Sequence, residues 1–409
     1  MHDVLTAQDL CDRALSLARD LGDRKTEARI LWNLLLLHER SGRADLALTY
    51  GERSLALARE LGIRDQLAFT LHDLAQVYLD MGQVTRGREV LDESWVLWQE
   101  MDNRVMLADN LTSRTLFDTF TGNYEQAIRV SDEAFAMSQA IDNLWGQAYS
   151  RMYIGLAHHA RGELGRALEV MQECIRLAEE AGFVAPLLVT RCDMALVYGD
   201  LGAVEHGLDL VRLALTAPSV HMHLWWNWAF IRMAELYLLK GDLAGAEAIL
   251  IQIQRDLGDY RALFTPLIMT FEPKLAHARG EYAQAEALAG RYRTLEGWGL
   301  HAFVPEMMCY LGKSLLAQGR DDEARTTLAG ARQRAEKIGA RHVLWPILGG
   351  LAEVAARAGE VDGADGAASL HSQAAAIVRT IADNAGSAEL RASFLAQPRV
   401  RTLLDGQGV

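Results

Sequence analysis

Leu74-Ala75-Gln76-Val77-Tyr78-Leu79-Asp80-Met81-Gly82-Gln83-Val84-Thr85-Arg86-Gly87 is the stretch from which the rest of the chain is read. Leu74, Val77, Tyr78 and Met81 are apolar at helical spacing, and the pattern stops at Gly82. Glycine just past a helix takes up the left-handed backbone that ends it. Five residues on, Gly87 puts a small residue one turn into the next helix, which lets two antiparallel helices approach closely. The stretch is the inner turn of a helical hairpin.

The same signal recurs along the chain. Gly42, Gly82, Gly122, Gly162, Gly202, Gly241, Gly280, Gly319 and Gly359 are separated by 40, 40, 40, 40, 39, 39, 39 and 40 residues. Five residues after them come Ala47, Gly87, Ala127, Ala167, Gly207, Ala246, Ala285, Ala324 and Ala364, all alanine or glycine. A second set of turns lies half a period away. It runs through Gly22, Gly62, Asp102-Asn103, Asp142-Asn143, Gly182, Gly258 and Gly339, again glycine or Asx. Each unit therefore reads as helix A, turn, helix B, turn, with helices of roughly 15–18 residues. The fold class is all-α, a solenoid in which each hairpin packs on its neighbours.

Composition bounds the function. The chain has 409 residues, 50% apolar and 23% charged, which is ordinary for a globular protein. A net charge of −13 argues against nucleic acid, whose binding needs a basic face. Cys11, Cys174, Cys192 and Cys309 are far apart and form no CxxC pair, as expected of reduced thiols in a cytoplasmic protein. No apolar run reaches the roughly 20 residues of a membrane helix, and the N-terminus does not read as a signal peptide.

Candidate chemistry is sparse. Gly312-Lys313-Ser314 ends like a phosphate-binding loop, but Met307 stands where that loop needs glycine, and the segment lies inside a helix A. His158-His159 and His221-Met222-His223 invite a zinc reading. Adjacent helical positions point about 100° apart, however, and no HExxH spacing occurs. No serine elbow or acid–base pair stands out. The expectation is a binding protein, with no enzymatic activity, no cofactor and no metal. The segment from His221 to Trp228 holds three of the nine tryptophans, Trp225, Trp226 and Trp228, which read either as core or as a binding surface.

The hairpin pattern resembles the tetratricopeptide repeat. Besides Leu74 to Gly82, Met194-Ala195-Leu196-Val197-Tyr198 precedes Gly202 and Met233-Ala234-Glu235-Leu236-Tyr237 precedes Gly241. His38, Asp118, His158, Ala276, Leu315 and Ala355 stand where that family has tyrosine, and the period is longer than its usual 34 residues. HEAT repeats share the longer period but lack the glycine-plus-alanine mask. The resemblance implies a right-handed superhelix whose A helices line the concave side. It carries that groove to positions 13, 10, 6 and 3 before each turn glycine. These are Phe69, His72, Gln76 and Leu79; Asp109, Thr112, Leu116 and Thr119; Tyr149, Met152, Leu156 and His159; Val189 and Cys192; and Trp228, Ile231, Glu235 and Leu238. Later repeats add Lys274, His277, Glu306 and Lys313. Trp225 joins the candidate groove as part of the tryptophan cluster. Such a mixed lining suits a peptide or protein segment.

The register divides the chain into residues 1–24, an orphan B helix of a truncated preceding repeat or else an atypical cap, nine repeats over 25–386, and a capping helix and tail over 387–409. Ser387 is placed to cap the tail helix. Ile381-Ala382-Asp383, Glu389 to Leu395 and Pro398-Arg399-Val400 resemble the tail of bacterial multidomain regulators that carry a STAND-class ATPase before their repeats. That resemblance implies a cytoplasmic sensor arm, partnered by an upstream ATPase or effector domain of the same native chain. A free-standing scaffold and a small-molecule or peptide sensor of a transcriptional regulator are the alternatives.

Overall fold

The computed structural model describes residues 2–216, 223–257, 265–360 and 363–405, and all regular structure among them is helical. After a first helix, His2–Asp20, nine helical pairs follow. They are Arg24–Arg40 with Ala44–Leu61, Arg64–Asp80 with Val84–Glu100, and Arg104–Phe120 with Tyr124–Ala140. In the fourth, a broken A helix (Leu144–Arg151, Ile154–Ala160) packs on Leu164–Ala181. Val184–Asp200 with Val204–Leu215 and His223–Lys240 with Leu243–Leu257 come next. Thr265–Ala278 then meets a broken B helix (Tyr282–Ala289, Tyr292–Gly297). Val304–Ala317 with Asp321–Ile338 and Arg341–Arg357 with Ala367–Asp383 complete the series, before the short helices Ala388–Ala396 and Pro398–Leu404. Among the described residues no helix is long and apolar enough to cross a membrane.

The turns form as their residues dictate. The nine hairpin glycines have φ between +71° and +88°. At Gly82 the glycine N–H donates to Leu79 O at 2.9 Å and the Gln83 N–H to Tyr78 O at 2.7 Å, which closes the helix end. In the alternate turns Asp102 and Asp142 take left-handed backbone themselves, and the next residues, Asn103 and Asn143, cap the following helices. Gly258 lies outside the described residues.

Close packing follows from the small residues. Ala47, Ala127, Ala167, Ala246, Ala285 and Ala324 are fully buried. A Cβ on Gly87 would sit 2.6 Å from the Phe117 ring, and one on Gly207 would sit 2.6 Å from Ala195 O. Ala364 departs from the pattern and is exposed. The ninth inner turn is longer, with Gly363 and Gly366 in it, so its B helix starts only at Ala367, whose N–H donates to Glu360 O.

One feature exceeds a simple solenoid: the later repeats stack on the earlier ones. Trp298 lies over Gly82 and Ile338 over Gly122, each pair 216 residues apart. Ile381 lies over Gly162 and Ser393 over Gly202. The Gly165 N–H donates to Asn384 O at 2.6 Å and the Ala302 N–H to Phe120 O at 3.2 Å. The superhelix thus completes a turn and touches itself along a seam. One apolar cluster runs from Leu35 to Leu403. The segment expected only to cap the last repeat also reaches back to the fifth, where Gln397 Nε2 donates to Asp200 O at 2.7 Å.

Two turn glycines separate the seam's contribution from the backbone's. Gly42 has open space where a Cβ would go, whereas at Gly82 a Cβ would lie 2.4 Å from Trp298 Cγ. Gly42→Ala is expected to cost about 1 kcal/mol, from left-handed backbone alone. Gly82→Ala should cost about 1–3 kcal/mol more, from overpacking. Urea denaturation of the two variants measures the difference, and equal losses would show that Trp298 gives way freely.

Candidate functional site

Closing the superhelix forms a cavity of about 560 Å³ that stays open to solvent on one side. Its wall includes residues at A-helix positions 3, 6, 10 and 13 before the turn glycines: Thr119, Leu156, His159, Glu235, Leu238, Thr270, Lys274, His277, Glu306 and Lys313. Phe120 and Phe303, in edge-to-face contact at 5.1 Å, and the tail residues Gln397, Pro398 and Arg399 complete it. A second cavity of about 680 Å³ adjoins it and shares His277, Glu306, Lys313, His342 and Arg399.

Charges in the cavity are mostly paired. Lys274 Nζ lies 2.8 Å from Glu306 and 3.5 Å from Glu235. Burial opposes its charge, but those two carboxylates outweigh it and hold the ammonium above its ordinary pKa. Lys313 forms no ion pair among the described residues, and its Nζ stands 5.3 Å from the Tyr310 ring centroid. Asp200 is a buried hub. Its Oδ2 lies 2.8 Å from His159 Nε2 and 3.4 Å from His342 Nε2, and its Oδ1 lies 3.3 Å from Arg399. Burial alone would raise its pKa, but His342, His159 and Arg399 outweigh that and keep the carboxyl well below the usual range. Burial pushes His342 down to about 3.

The concave face of the first repeats has the opposite character. Phe69 packs between Trp32 and Trp98, with ring centroids at 5.6 and 4.8 Å. His72 Nε2 lies 3.1 Å from Asp109 Oδ2, and Gln76 Nε2 donates to Asp80 at 2.9 Å. Trp32 Nε1 donates to Asp73 at 2.6 Å. Burial raises Asp73 and Asp80 and lifts Glu39 to about 7. Buried His72 Nδ1 and Asp109 Oδ1 have no hydrogen-bond partner. Tyr149 packs against Trp145 and Phe183 at this end.

Of the residues the sequence placed in the groove, His159 and Glu235 line the cavity, while Phe69, His72, Gln76, Asp109 and Tyr149 belong to the acidic end. Several are corrected to core, Leu79, Leu116, Val189, Cys192 and Ile231 among them. Trp228 is fully buried and its Nε1 donates to Asp193 at 3.0 Å. Met152 is buried where the fourth A helix breaks, and the Thr112 hydroxyl turns back to Ala108 O at 3.1 Å. The counting rule finds the helix face, but at these positions the neighbouring helix covers the side chain. The Trp225 side chain, like His221 and Met222, lies outside the described residues; Trp226 is 37% exposed. His342, Tyr310, Phe303, Gln397 and Arg399 were missed. Phe303, at the N-cap, and Tyr310 belong to the helix of Glu306 and Lys313 but fall off the counted positions, whereas His342, Gln397 and Arg399 enter through closure of the superhelix, which no local spacing signals.

A tetratricopeptide repeat family model matches residues 1–60 and 27–94. No curated protein matches the chain. A Rap protein complexed with competence and sporulation factor superposes with a TM-score of 0.59 at 15% identity, covering 88% of this chain and 99% of that one. A tetratricopeptide repeat protein from Parabacteroides merdae ATCC 43184 gives 0.38 at 16% identity, covering 69% and 98%. Yeast Tom70 gives 0.36 at 11%, covering 99% and 96%. The chain is a solenoid of tetratricopeptide-like helical hairpins whose first repeats match that family directly.

Proposed function

We propose that the protein binds a peptide or exposed protein segment along its concave face. A cationic part of the ligand lies against Glu39, Asp73, Asp80 and Asp109, and an anionic part enters the axial cavity at Lys313. The observation that carries this reading is the open cavity of about 560 Å³, in which Lys313 alone among the lysines and arginines of the wall forms no ion pair among the described residues. A concave site with apolar walls and a few placed polar groups is what a ligand pocket requires, and extended segments dock in such grooves. The Rap protein of similar fold was solved in complex with competence and sporulation factor, which supports a binding role for this fold.

The finer reading is a sensor arm of a STAND-type signalling ATPase. It rests on the resemblance carried by residues 381–400, and ligand seated across the seam would bias the solenoid's shape. An ATPase domain encoded in the same reading frame is the expected finding, and its absence would remove that context. Binding itself is tested with an array of charged peptides followed by titration of the best binder. Lys313→Glu is expected to weaken that binder at least about tenfold, since a like charge is then placed against the ligand. An array with no binder, or unchanged affinity in Lys313→Glu, would overturn the assignment.

A further inference from the structure

We infer that His159, Asp200 and His342 form a transition-metal site, with Zn²⁺ the ion their donor set fits. Their donor atoms, His159 Nε2, Asp200 Oδ2 and His342 Nε2, all lie within 4.8 Å of one another. The two nitrogen-to-oxygen distances are 2.8 and 3.4 Å. Tetrahedral zinc with bonds of about 2.0–2.1 Å sets its donors about 3.3 Å apart. The two nitrogen-to-oxygen distances lie within about half an ångström of that value, and the two nitrogens lie within 4.8 Å of each other.

Hydrogen bonding alone accounts for the cluster poorly. One carboxylate oxygen faces two imidazole nitrogens, and the longer separation of 3.4 Å is beyond a good hydrogen bond. A cation at the centroid uses both nitrogen lone pairs and the oxygen together. The supporting groups also suit this role. Arg399 engages the other oxygen, Oδ1, and Gln397 ties the Asp200 carbonyl, which orients the carboxylate and leaves Oδ2 free to face the imidazoles. Imidazole and carboxylate donors suit a borderline ion such as zinc.

Adjacency of His158 and His159 spoke against a metal, and that argument holds for the pair: His158 turns away to Glu163 at 2.7 Å. The partners of His159 come instead from the next repeat and from the ninth. All three ligands line the axial cavity, so the fourth coordination position opens to it. Arg399 beside a dication favours an anion there, such as a carboxylate. The ion would also fasten the ninth repeat to the fourth and fifth across the seam.

The test uses the full chain stripped of metal and titrated calorimetrically with Zn²⁺ alone. One equivalent is expected to bind. His159→Ala and His342→Ala should each weaken binding at least about tenfold. His206→Ala, an exposed histidine outside the cavity, should leave it unchanged. Circular dichroism checks that the variants are folded. If either alanine variant unfolds, Co²⁺ absorption of the unaltered chain decides: intense tetrahedral bands support the site and weak octahedral bands overturn it. Absence of Zn²⁺ binding, or binding indifferent to both substitutions, also overturns it.

Discussion

Asp193→Ala is expected to destabilise the fold by up to about 3–5 kcal/mol, the cost of taking from a buried cation one of its two carboxylate partners. Asp193 is fully buried, and its Oδ1 accepts from Arg232 Nε at 2.8 Å and from Trp228 Nε1 at 3.0 Å. The Arg232 side chain is only 3% exposed; it also pairs with Glu235 and lies over the Trp228 ring. Removing the carboxylate leaves the buried indole N–H unpaired and the guanidinium with Glu235 as its remaining carboxylate among the described residues. The cost therefore far exceeds that of an exposed pair such as Arg59–Glu93, for which about 0–1 kcal/mol is usual. Asp193→Asn, which keeps an acceptor for Trp228, should cost less. Urea denaturation followed by circular dichroism measures both, and a loss under about 1.5 kcal/mol for Asp193→Ala would contradict the account.

Gly165→Leu should pry open the seam. Gly165 sits in the first turn of a B helix, where leucine in open space would gain about 1 kcal/mol in helix propensity. Here a Cβ would lie 2.6 Å from Gly386 N and 2.9 Å from Asn384 O, backbone atoms that cannot swing aside. The Gly165 N–H bond to Asn384 O would also be lost. Overpacking of about 1–3 kcal/mol and a hydrogen bond worth about 1 kcal/mol together reverse the sign of the change. Protease cleavage around residues 384–405 and a larger radius of gyration by small-angle scattering are the expected signs. A variant as compact and resistant as the unaltered chain would show that this contact does not hold the coils together.

The fold was legible because its determinants are local. A turn glycine and a small residue five positions later fix each hairpin, and hairpins repeat. The counting rule that picks the inner face of helix A also reached Thr119, Leu156, Lys274, His277, Glu306 and Lys313, which do line the cavity. It erred at Trp228, Met152 and Thr112, where burial depends on the neighbouring helix rather than on spacing. The meeting of His159, Asp200, His342 and Arg399 was not legible. It depends on the pitch of the whole superhelix, a sum of small rotations over many repeats that no single motif encodes.

The seam has a consequence for the order in which the protein comes into being. Hairpins contact their neighbours, so each can form soon after it leaves the ribosome. The pocket cannot, because its walls run from Thr119 to Arg399. At about 5–20 residues per second, its last wall follows its first by roughly 14–56 seconds. During that interval the nascent chain is an open trough. A ligand met then can be wrapped in, whereas one met later must enter by the open side of the finished pocket. A chain halted before residue 399 would carry most of the repeats and lack the complete pocket, so binding that needs the whole pocket would report synthesis past Arg399.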